Sequence, residues 1–153
     1  MNKIKNLMKF AACGTMMMIT GCTTTDYITD AQSVVSSADW NDMQTVSVVL
    51  DEYSYSPSNL HFKVGVPYKL QIQNNGTIKH YFTSVDFFKA IATRKVQSNA
   101  DGEIKAPYFS ALEVFPSRAL DLYFVPVKKG TYKLHCTIKG HESKGMCGSI
   151  VVD

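Results

Sequence analysis

Gly130-Thr131-Tyr132-Lys133-Leu134-His135-Cys136, and after a short loop Gly145-Met146-Cys147-Gly148-Ser149-Ile150, are the residues whose reading decides the fold. Tyr132, Leu134 and Cys136 alternate with polar neighbours, the period of a strand with one buried face. The same alternation recurs upstream, in Val46, Val48 and Leu50, in Leu60, Phe62 and Val64, and in Tyr68, Leu70 and Ile72. It returns in Leu120, Leu122 and Phe124, and a last strand runs from Gly148 to Val152. Asn74-Asn75-Gly76 is a turn, and the strand after it, Ile78 to Thr83, carries His80. Many short strands punctuated by Gly, Pro and Asn predict an all-β, two-sheet Greek-key sandwich of about 110 residues, enough for one core. One segment breaks the rhythm. Val85, Phe88, Ile91 and Ala92 fall at helical spacing, so Val85 to Gln97 is expected to hold a short helical insertion, with Ser98 to Gly102 as a loop. Its Phe87 and Phe88 either pack on the sandwich edge or shield a site.

Cys136, His141 and Met146 stand in a C-x4-H-x4-M run, and His80 supplies a second imidazole from upstream. One thiolate, two imidazoles and one thioether form a soft donor set. Zinc is satisfied by Cys, His and carboxylates, whereas a His2Cys plane with a weak axial Met is the coordination of a mononuclear electron-transfer copper. The expected cofactor is therefore one copper, held by His80, Cys136, His141 and Met146. His141, on the loop between Cys and Met, is expected to reach the surface and offer the electron its exit. His61 and His135 lie on the polar side of their strands and read as surface histidines, with a second copper at either as the alternative.

The first residues set the compartment. Lys3, Lys5 and Lys9 precede Phe10 to Thr20, a mostly apolar run too short to span a bilayer, so 1–21 reads as an export signal. Ile19-Thr20-Gly21-Cys22 resembles a bacterial lipobox, which implies lipidation of Cys22, a mature chain beginning there, and a periplasmic protein anchored to a membrane. Thr23 in place of Asp favours the outer membrane, by resemblance to enteric lipoproteins. Ordinary signal cleavage with Cys22 unmodified is the alternative. Residues 22–43, rich in Thr, Ser and Asp, are expected to be a tether with a short helix over Asp30 to Ser37, ahead of the domain at 44–153. Without the leader's three lysines, Lys and Arg equal Asp and Glu in number, so no excess of cations is available for a nucleic-acid partner. Cys136 and Cys147 remain after the leader. They are either bridged or, as the ligand spacing favours, a metal ligand and a free thiol buried as a small apolar residue.

The quoted final strands and loop, with Tyr55-Ser56-Pro57 opening a strand and His80 following Asn75-Gly76, resemble the cupredoxins over about Thr45 to Asp153. The Cys-to-His spacing is similar to that of rusticyanin and auracyanin. His80-Tyr81-Phe82, Phe87-Phe88, Ala90 to Lys95 and Ala106-Pro107-Tyr108-Phe109 look more like the periplasmic green cupredoxins linked to bacterial copper tolerance. The resemblance implies a type 1 copper protein acting in copper tolerance through one-electron chemistry, by Cu(I) binding or oxidation. The alternative is a tethered electron-transfer protein of a respiratory chain, with an unidentified redox partner. An enzyme of the nitrite reductase or multicopper oxidase kind needs spare His-x-His pairs, and this chain lacks them. One departure stands out: the residue after the first His is commonly Asn or Ser in the family, tied to the loop after the Cys, and here it is Tyr81, although the expected partner, Thr137, is present.

Overall fold

The computed structural model describes residues 27–98 and 101–153; the expected leader, 1–21, and Cys22 lie outside them. The alternating segments pair into two sheets. In chain order the strands are β1 (Gln44–Asp51), β2 (Ser54–Ser56), β3 (Asn59–Phe62), β4 (Tyr68–Asn74), β5 (His80–Thr83), β6 (Ile91–Ser98), β7 (Gly102–Ile104), β8 (Ala111–Val114), β9 (Ala119–Pro126), β10 (Gly130–His135) and β11 (Cys147–Val152). One sheet runs β2-β1-β4-β9-β6-β7 and the other β3-β11-β10-β5-β8. The pairs β1–β4 and β3–β11 are parallel and the rest antiparallel, so the chain crosses between sheets as the expected sandwich requires.

The inward residues of both sheets form one core. Leu50, Phe62, Leu70, Ile72, Phe82, Leu122, Phe124, Leu134 and Ile150 are all buried. Each such side chain contributes about 1.5–3 kcal/mol when removed from water. Phe62, Tyr68 and Phe124 meet with ring centroids 4.9–5.8 Å apart, which fastens the end of the sandwich where β3, β4 and β9 converge.

The insertion is shorter than its sequence pattern predicts. A single helical turn, α2 (Val85–Phe88), is followed by a tight return to Ala90, and Ile91–Ser98 is strand β6. The reason is burial: Ile91, Ala92 and Thr93 are buried in a row, so β6 opens without the alternation of a half-exposed strand, and its first apolar residues continue the spacing set by the helical turn. A β-bulge follows, in which Thr93 pairs with Phe124 and Lys95 with Tyr123, leaving Arg94 as an extra residue. Phe87 and Phe88 are fully buried, and Phe87 packs on Phe62, Phe124 and Tyr132, so these rings belong to the core.

Ahead of β1, a short helix, α1 (Ala31–Ser37), packs on β6, and Tyr27 stacks on Tyr108 with centroids 4.2 Å apart. Arg94, turned out by the bulge, lies over the Trp40 ring at 4.5 Å. The chain from Tyr27 onward is thus packed against the sandwich.

Candidate metal centre

Strand order places the donors. β11, β10 and β5 are adjacent in the second sheet. His80 opens β5, Cys136 follows the last residue of β10, and Met146 precedes the first residue of β11. Three chain segments therefore deliver their donors to one end of the sandwich, and the loop between Cys136 and Met146 folds back to add His141. Two backbone hydrogen bonds shape that loop: Met146 N–H donates to the His141 carbonyl at 3.0 Å, and Cys136 N–H donates to the Met146 carbonyl at 3.1 Å. A turn of 3-10 helix, Glu142–Lys144, ends at Gly145, whose φ of 109° lies in the left-handed region that suits glycine.

The donor atoms of His80, Cys136 and His141 all lie within 4.8 Å of one another, and all three residues are buried. Cys136 Sγ is 3.6 Å from His141 Nδ1, and the two imidazole centroids are 5.2 Å apart. Neither ring nitrogen of His80 has a hydrogen-bond partner. A fully buried imidazole with both nitrogens unpaired is costly unless something else binds it, which is the position of a metal ligand. Burial, and then the neighbouring His141, hold the His80 pKa below its ordinary value, so the ring is kept neutral as coordination requires. Met146 is fully buried beside these groups. The cluster contains no carboxylate, and its one sulfur and two nitrogens suit copper.

Around the donors is a shell the sequence reading only partly anticipated. Tyr81 does not make the side-chain tie to the loop that the family's Asn or Ser makes. Its backbone N–H donates to Cys136 Sγ at 3.4 Å, while its side chain turns to Lys79 and Glu113. Tyr55, on the opposite sheet, donates its hydroxyl to the Tyr81 carbonyl at 2.5 Å. Burial, with smaller contributions from Cys136 and Cys147, raises the Tyr55 pKa, so it remains a protonated donor. Tyr55 thus holds the strand that holds the sulfur. Only the pattern Tyr55-Ser56-Pro57 hinted at its importance.

His141 does not reach the surface. It is 6% exposed, because Tyr53 sets its ring edge-on against the imidazole at 5.1 Å. Lys144 donates to the Tyr53 hydroxyl at 3.0 Å and lies 4.2 Å from the ring centroid. Tyr53 adopts φ 66°, a left-handed conformation that a bulky residue occupies only when its surroundings hold it there. No spacing rule finds Tyr53, since three strands, β2, β3 and β4, separate it from His80 along the chain.

The two cysteines are unbridged, and Cys147 is exposed rather than buried. Register explains it: Leu134 and Cys136 face the core, so the residues opposite His135 on the outer face, Cys147 among them, face out. His61 is exposed on β3, and His135 is partly buried on the outer face of β10.

A family model for the cupredoxin-like domain matches residues 28–152. No curated protein sequence matches the chain. Among solved structures, a multi-copper oxidase from Pseudomonas thermotolerans aligns with TM-score 0.59 and 18% identity over 76% of this chain and 31% of its own. A multicopper oxidase from Campylobacter jejuni aligns with TM-score 0.54 and 19% identity over 71% of this chain and 29% of its own. This chain therefore spans under a third of the length of those oxidases. Auracyanin B, at TM-score 0.50 and 19% identity, is covered over 88% of its length by 72% of this chain. At such identities the likeness is one of fold.

Proposed function

The chain belongs to the cupredoxin-like domain family, and from that premise we propose that it is a type 1 copper lipoprotein of the periplasm that serves copper tolerance through one-electron redox chemistry. The observation that carries the copper assignment is the buried, carboxylate-free cluster of His80, Cys136 and His141, with both nitrogens of His80 unpaired. His80, Cys136 and His141 would hold the copper, with Met146 as the fourth, thioether donor. When bound, copper contributes reversible one-electron chemistry. The chain's own part is to keep donor positions fixed and water out. His80 stays neutral, Cys136 Sγ is oriented by the Tyr81 amide, and the sheets on either side resist the rearrangement that a change of copper charge favours. Electrons pass at the His141 edge, through the covering ring of Tyr53. Copper tolerance is supported by the likeness of His80 to Phe82 and of Phe87 to Phe109 to the green cupredoxins. Anchoring is supported by Ile19-Thr20-Gly21-Cys22, and the outer membrane is favoured by Thr23.

The purified protein titrated with cupric salt develops an intense thiolate-to-copper visible band. Cys136→Ser abolishes it, and Met146→Gln keeps the colour while shifting the reduction potential; a band surviving in Cys136→Ser overturns the site. At the level of the cell, deleting the gene lowers growth in rising copper. Normal tolerance with failed respiration would instead identify a carrier of a respiratory chain.

A further inference from the structure

Cys147 and His135 face each other on the outer surface of the second sheet, one strand apart and away from the core cluster. They are register partners across β10 and β11. Because Cys136 N–H bonds to the Met146 carbonyl, the neighbouring His135–Cys147 pair is of the non-hydrogen-bonded kind, the closer of the two antiparallel pairings. Its Cβ atoms are about 4.5–5.5 Å apart and its side chains stand on the same face. Cys147 is a free, exposed thiol. His135 Nδ1 is buried and has no hydrogen-bond partner. On its other flank His135 pairs with Thr83 of β5, a residue 5% exposed whose Oγ1 is likewise buried and unpartnered. A thiol, an imidazole and a hydroxyl therefore lie in one row across three strands, and two of the three have polar atoms that nothing in the protein satisfies.

We propose that Cys147 and His135 form a second metal site, a two-donor surface site for a soft monovalent ion, Cu(I). The donor count selects the ion. Metal–sulfur and metal–nitrogen bonds of about 2.3 and 2.0 Å put the donors of a linear pair about 4.3 Å apart, a span that a non-hydrogen-bonded cross-strand pair accommodates. Cu(I) has a filled d shell and accepts two ligands, and thiolate selects it. Zinc asks for four donors, and the nearby carboxylate of Glu142 is engaged with Lys133 at 2.5 Å. Among the described residues, His80, Cys136 and His141 are the one group that offers three donors within 4.8 Å of one another, so the surface pair stands as a two-coordinate site. The site is built of residues outside the core ligand set. His135 is bonded in sequence to Cys136 yet projects to the opposite face, which places the surface ion one residue from the buried thiolate. This inference rests on the protein being a copper protein and not on which residues complete the buried centre.

The test uses the full chain, reduced and anaerobic, titrated with cuprous ion against a chromogenic cuprous chelator. The wild type is expected to bind one equivalent more than Cys147→Ser and one more than His135→Gln. Reoxidised with copper, all three retain the visible band of the buried centre. A second measurement begins with the wild type alone: cuprous ion should slow iodoacetamide modification of its Cys147 peptide at least tenfold, and His135→Gln should then remove most of that protection. Equal stoichiometry in the wild type and both variants overturns the site, as does protection of Cys147 that is indifferent to His135. Absence of the visible band in the wild type would count against the buried centre and leave the surface measurement readable.

Discussion

Gly76→Ala is the sharpest probe of how the buried centre is held. Gly76 has no positive φ, so replacing it raises no backbone objection; the whole effect is one of space. A Cβ there would lie 2.8 Å from Glu52 Oε1, 3.0 Å from His80 Nε2 and 3.1 Å from Asn74 Oδ1. Two of these neighbours, Glu52 and Asn74, are held by hydrogen bonds. Glu52 Oε1 accepts from the Thr77 amide at 2.6 Å and from its hydroxyl at 2.9 Å. Asn74 is fully buried, donating to the carbonyls of Ile78 and Val114 at 2.8 Å each, while its Oδ1 accepts from Gly76 N–H. His80 can yield only by turning its ring, which moves the other nitrogen relative to Cys136 and His141. An extra methyl in a packed site with no slack costs about 1–3 kcal/mol. Urea unfolding of the metal-free protein should show that loss as a lower midpoint with unchanged slope. The copper-loaded protein should lose more, because weaker binding shrinks the ligand's contribution to stability as well. The informative quantity is the difference between the two losses. Should Gly76→Ala keep its metal-free stability within about 0.5 kcal/mol and its visible spectrum unaltered, the claim that this loop is packed against a metal ligand is wrong.

Two further substitutions test the scaffold. Hydrogen bonding from the Thr77 amide, then with the Asp51 carboxyl and from the Thr77 hydroxyl, lowers the Glu52 pKa from 4.5 to about 2. A depressed folded-state pKa stabilises above the unfolded value and is lost as pH falls, so the contribution should fade between about pH 4.5 and 2. Glu52→Gln keeps the acceptor but cannot titrate; the measured fall in urea midpoint across that window should be smaller in Glu52→Gln than in the wild type, and parallel curves would refute it. Gly148→Ala would set a Cβ 2.0 Å from the Ser58 carbonyl oxygen, which is backbone and accepts from Ser149 N–H at 2.9 Å. Thermal unfolding should show Gly148→Ala to be more damaging than Gly76→Ala, since the β3–β11 pairing itself must part.

The strands legible in the sequence were those whose large apolar residues alternate: β1, β3, β4, β9, β10 and β11 each lie where the alternation predicts. β6 was hidden because it opens on three buried residues in a row, Ile91, Ala92 and Thr93. β2 and β7 are three residues long, too short for a period to declare itself. The cluster of His80, Cys136 and His141 was legible for a different reason. Cys136, His141 and Met146 belong to one loop, so their spacing is local, and His80 follows a recognisable turn. What the sequence could not show was the cover over His141, because Tyr53 and Lys144 meet only through the tertiary fold, and the exposure of Cys147, which depends on which face of β11 looks outward.

The division of labour between the sheets explains why the centre can be both buried and rigid. Every donor comes from the second sheet or its loop, but the restraints on them come largely from the first. Asn74 at the end of β4 anchors the turn before His80. Tyr55 of β2 grips the strand whose amide orients the sulfur. Tyr53, in the hairpin between β1 and β2, closes over His141. A donor set mounted on one sheet and clamped by the other cannot relax without shearing the sandwich, and the packed core between them resists shear. A change of charge at a bound metal would therefore meet a site whose geometry is fixed by some twenty buried side chains rather than by the candidate donors alone.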